Sequence, residues 1–92
     1  MPDQTYILDT VDRPAAGTRK QNTVAMATEF VVVSWVQPKS SDGGLGWYDY
    51  ETHATEQAAQ RAHRDYERGE YPSHRAVCIF ASRHGVPIGR LA

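Results

Sequence analysis

Four histidines and one cysteine are the residues most suited to metal or nucleophilic chemistry in this chain: His53, His63, His74, His84 and Cys78. A zinc site needs three or four ligands converging on one point. On a single helix, His53 and His63 would be about 80° apart around the axis and about 15 Å apart along it, so they cannot share an ion. On one strand, His74 and Cys78 would share a face but stand about 13 Å apart. No metal ligand set and no cofactor is expected. A nucleophilic cysteine needs an exposed, electropositive setting. Cys78 instead lies between Val77 and Ile79, which fits a small buried apolar side chain.

Paired carboxylates can perform acid–base work. On a strand, Asp49 and Glu51 share a face about 7 Å apart. No donor for a developing oxyanion accompanies them, and solvated surface charge explains them as well. Gly43, Gly44 and Gly46 sit between two predicted strands. No helix follows to present its N-terminus to a phosphate. No catalytic residue is assigned, and the chain is not expected to be an enzyme.

The candidate binding residues are Trp35, Trp47, Tyr48 and Tyr50, with Arg83 and His84 at a hairpin tip. Tyrosine and tryptophan offer large area with one polar tip, which favours them at protein interfaces. Bases can also stack on aromatics of a sheet. A small core needs such side chains too. A hairpin tip is exposed by construction and can meet an acidic partner or a phosphate.

Strands must position these groups. Phe30–Val36 (Phe-Val-Val-Val-Ser-Trp-Val) is β-branched and aromatic, and so reads as a strand. Alternation puts Phe30, Val32, Ser34 and Val36 on one face and Val31, Val33 and Trp35 on the other. Both faces are apolar. The connection 37–45 carries Pro38, Gly43 and Gly44. Trp47–Glu51 alternates as a second strand, with Trp47, Asp49 and Glu51 opposite Tyr48 and Tyr50. Thr52 is a suitable N-cap. Ala54, Ala58, Ala62 and Tyr66 recur every four residues, and Gly69 and Pro72 follow. These features predict a helix over 53–68. Arg75–Ser82 is a third strand, with Val77, Ile79 and Ala81 on one face and Ala76, Cys78 and Phe80 on the other. Residues 83–85 read as a three-residue hairpin loop. Val86–Leu91 is a fourth strand, kept at an edge by Pro87.

The expected fold is therefore α+β. It is a small two-layer sandwich of a mostly antiparallel, three- to four-stranded sheet and one helix, in the order β-β-α-β-β. Residues 28–92 form this single domain. Residues 1–27 form an N-terminal arm, partly disordered or holding a short strand at Thr5–Leu8. Residues 12–23 show no apolar period and read as loop.

Ninety-two residues make one domain, which buries only about 60–65% of its unfolded surface. The net charge of −1 speaks against a non-specific nucleic-acid binder, which is expected to be basic. Residues 29–60 hold five acids and one base, whereas 61–92 hold six arginines and three acids. The lone cysteine and the lack of a signal-peptide apolar run point to the cytosol. No apolar run is long enough to span a membrane. Together these features suggest a small protein-binding protein. It would act by self-association, as a homodimer, or as an inhibitor or adaptor of a larger protein. By size alone, accessory and anti-defence proteins of bacteria and their mobile elements are comparable. The alternative is a nucleic-acid-binding module using the sheet aromatics and the C-terminal arginines.

Overall fold

A computed structural model describes residues 14–38 and 44–92. The expected strand at Thr5–Leu8 and part of the first connection (39–43) lie outside the described residues. The elements run α1 (Gly17–Met26), β1 (Glu29–Val36), β2 (Trp47–His53), α2 (Glu56–Glu67), β3 (His74–Arg83) and β4 (Val86–Arg90). The four strands form one antiparallel sheet in the order β2-β1-β3-β4. The chain is thus α+β, with its most apolar strand at the centre and the Pro87 strand at an edge.

β1 is central because both of its faces must leave water. On one side Phe30 and Val32 join Ile79, Ala81, Ala59 and Leu91 in the main core. Ala62 and Tyr66 of α2, Val24 of α1 and Ala27 just after it pack against this cluster. The alanines let α2 approach the sheet closely, and Ala59 is fully enclosed. On the other side Val31, Val33, Cys78 and Phe80 form a second buried cluster, bordered by Tyr48, Tyr50 and Val77.

The boundaries differ from the sequence reading in ways that tertiary pairing explains. β2 continues to His53, because Thr52 and His53 pair with Val31 and Phe30. The cap of α2 therefore moves from Thr52 to Thr55, whose hydroxyl accepts from the Ala58 N–H at 3.2 Å. Ala54 lies before the helix. At the β3–β4 hairpin the loop is two residues rather than three. Arg83 pairs with Val86, and His84 (φ 50°) and Gly85 (φ 82°) form the turn. Positive φ at both central residues is the requirement of a type I′ turn.

Two corrections concern whole elements. The stretch read as loop within 12–23 is helical from Gly17 onward, so the described residues hold two helices. α1 lacks a side-chain N-cap and buries only Thr23. It is held by the sheet rather than by its own amphipathicity. Gly89 of β4 makes room for it, since a Cβ there would stand 2.7 Å from Thr23 Cγ2. The Thr23 hydroxyl donates to the Arg19 carbonyl at 2.8 Å, which satisfies it inside the contact.

The second correction is in β3. The register against β1 shifts between Val33 and Ser34. Val33 pairs with Cys78 and Ser34 with Ala76, leaving Val77 as an extra residue. Such a bulge reverses the alternation beyond it. Val77 therefore sides with Cys78 and Phe80, while His74 and Ala76 move to the helix side with Ser34 and Val36.

Candidate interaction surface

The bulge at Val77 assembles a polar and aromatic group that simple alternation would have scattered. His74, now on the helix side, stacks on Tyr66 of α2, with ring centroids 5.2 Å apart and planes 11° apart. Tyr71 closes the group edge-on to both rings. Across the sheet, Asp49 Oδ2 lies 3.9 Å from His74 Nε2. The Tyr66 hydroxyl donates to Glu51 at 3.0 Å, and Glu51 is 3.6 Å from His53. Burial, reinforced by the Glu51 carboxylate, pushes the Tyr66 hydroxyl up to about 12. That phenol stays neutral over the whole biological range and serves as a fixed donor.

Asp49 and Glu51 therefore do lie together, but their partners are a phenol and imidazoles at the rim of the helix layer. No oxyanion donor faces them among the described residues, and no described group of three ligands could hold a metal. Cys78 is buried, and burial raises its thiol above the ordinary range. That opposes formation of the thiolate a nucleophile requires. After the bulge, Cys78 and His74 lie on opposite faces.

The aromatic set divides between the two faces. Trp35 and Tyr48 meet edge to face, with centroids 5.0 Å apart, on the side of the second cluster. Tyr50 packs on that cluster. Gly46 lies against the same indole, and a Cβ there would come within 2.4 Å of it. The Trp35 indole N–H donates to Gln37 at 3.1 Å. Trp47 pairs with Val36 and so points to the helix side, where it is 53% exposed. The set is not one continuous stacking platform. Just before β2, Leu45 is 92% exposed.

Arg83 and His84 are exposed at the hairpin tip, but the tip is anchored. The Arg83 guanidinium donates to the Met26 carbonyl at 2.8 Å, at the C-terminal end of α1. There a cation meets the negative end of the helix dipole. The His84 N–H donates to the Thr28 hydroxyl at 2.8 Å. Glu29 accepts from Thr28, from the Ser82 hydroxyl at 2.8 Å and from the Gly85 N–H at 2.7 Å. The Thr28 hydroxyl, followed by the Gly85 N–H and the Ser82 hydroxyl, lowers the Glu29 carboxyl below its ordinary value.

Sequence reasoning did not single out the His74–Tyr66–Tyr71 group or Leu45. The exposure of Leu45 was readable from its place in a glycine-rich connection. The aromatic group depended on the bulge, which leaves no signature in residue types.

Comparison with protein-family models, curated proteins and solved structures finds no match to this chain. Among the described residues, no helix is long and apolar enough to cross a membrane.

Proposed function

We propose that this chain is a small protein-interaction domain. It works by association with another protein chain, either a second copy or a larger protein that it inhibits or adapts, in the cytosol. The observation that supports the reading is the exposure of Leu45 and Trp47, two large apolar side chains at the entry to β2. Burying a side chain such as Leu contributes about 1.5–3 kcal/mol, so covering the pair would favour association. The absence of a complete nucleophile, base and stabiliser set among the described residues fits binding better than catalysis.

The test is the double variant Leu45→Ser/Trp47→Ser, with its fold checked by near-ultraviolet circular dichroism. Tagged wild type and variant are compared by co-purification from the native host and by sedimentation velocity across concentrations. The expected result is association, with itself or with a defined protein, that the wild type shows and the folded variant lacks. A wild type that stays monomeric and retains no protein that the variant loses would refute the reading.

A further inference from the structure

The outer face of α2 carries a row of three arginines. At about 100° per residue, Arg61, Arg64 and Arg68 fall within about 60° of one another around the axis. That arc is opposite Ala59, the fully enclosed residue of the helix. Successive members of the row stand about 4.5 and 6 Å apart along the axis. All three residues are exposed. Among the described residues, no hydrogen bond or ion pair engages their guanidinium groups.

The acids of the same helix leave the row uncompensated. Glu67, one turn after Arg64, lies 3.5 Å from His63 instead. Asp65 is one turn after Arg61, which is the less favourable order for a helical ion pair, and no pair forms. Arg64 and Arg68 are themselves one turn apart, where like charges destabilise a helix. The helix dipole favours basic side chains in the last turn, but Arg61 precedes that turn. Local conflicts of this kind collect at functional sites.

The row and its surroundings indicate which partner fits. Steps of three and four residues are also the spacing of carboxylates along one face of an acidic helix. Guanidinium and carboxylate meet as two forks joined by paired hydrogen bonds. A second copy is a poor occupant, because Glu29, Asp49, Glu51 and Glu67 already face groups of their own chain. Nucleic acid is a poor one too, because the net charge is −1 and a binder of that kind is expected to be basic.

We propose that the outer face of α2 docks an acidic helical segment of a different protein, with Arg61, Arg64 and Arg68 each meeting an Asp or Glu carboxylate. This proposal rests on the protein-binding reading and adds a contact surface and the chemistry of the partner.

The test titrates the full chain at low salt with three probes and follows amide NMR shifts. One probe is an alanine-based helical peptide with Glu at alternating steps of three and four residues. The second is the same peptide with Lys in place of Glu, and the third is single-stranded DNA. The expected result is saturable binding of the Glu peptide, with shifts centred on residues 57–68, that weakens as salt rises. The Lys peptide and the DNA do not saturate. Arg61→Gln/Arg64→Gln/Arg68→Gln, its fold checked by circular dichroism, weakens the Glu peptide about tenfold. The corresponding triple Lys variant, which keeps the charge and loses the fork, retains part of the binding. The proposal is overturned by no saturable binding of the Glu peptide, by shifts centred elsewhere, or by equal binding of the Lys peptide or the DNA. A folded triple Gln variant that binds like the wild type, or a wild-type dimer that this variant abolishes, also overturns it. If the Glu peptide fails while the Leu45/Trp47 variant still loses its associated protein, only the α2 surface falls.

Discussion

Single residues hold this domain together where its elements are weakest. Glu29 is the clearest case, because one carboxylate gathers Thr28, Ser82 and the Gly85 N–H. Its carboxyl is lowered in the folded state, so the folded chain favours the ionised form. That contribution is complete above the ordinary carboxylate value, and it is lost as pH falls through the lowered one. Glu29→Gln is therefore expected to reduce the melting temperature at pH 7 and to flatten its decline between neutral pH and pH 3. Thermal melts of both proteins across that range check this. An unchanged acid slope would mean that the Glu29 contacts do not stabilise the fold. The identity of this hub was not legible in the sequence, since Glu29 is 53 residues from Ser82 and 56 from Gly85. Only the pairing of β1 with β3 brings them together.

At the scale of elements, the strands were more legible than the helices. Phe30–Val36 announces a central strand because β-branched residues occupy both alternations. The Ala58–Ala62–Tyr66 spacing announces α2. The α1 helix was invisible because its sequence, Gly-Thr-Arg-Lys-Gln-Asn-Thr-Val-Ala-Met, carries no apolar stripe. It depends on Thr23 and Val24 meeting the sheet, and on Arg83 reaching the Met26 carbonyl. A side chain at Gly89 would strike Thr23. Gly89→Ala is accordingly expected to loosen α1 while leaving the sheet intact. Amide hydrogen exchange would show this as faster exchange confined to residues 17–26, and uniform protection would contradict it. The bulge at Val77 was equally hidden. Alternation predicts faces well until a single extra residue reverses them. Here that reversal decides whether His74 stacks on Tyr66 or points away from it.

The whole molecule is a sheet with two apolar faces, and its stability is concentrated around β1 and β3. Ile79 is fully enclosed in the main core. Ile79→Ala is expected to cost about 2–5 kcal/mol, a large share of the margin of so small a domain. Urea denaturation measures it, and a loss below 1 kcal/mol would show that the core relaxes around the cavity. The α+β class and the antiparallel pairing were readable from local patterns. The division of the aromatics was readable only in part. Trp47 was assigned to the opposite alternation from Tyr48 and Tyr50, but whether each side chain would be covered depends on its position across the sheet. The cover on β4 has a consequence for how the sheet can grow. With Pro87 and the Pro14–Ala15 segment across β4, the described sheet cannot be lengthened from that side. Such a unit ends a growing sheet instead of extending it. Copies stacked edge on edge would close after two, so this chain is a terminator and not a link in a fibre.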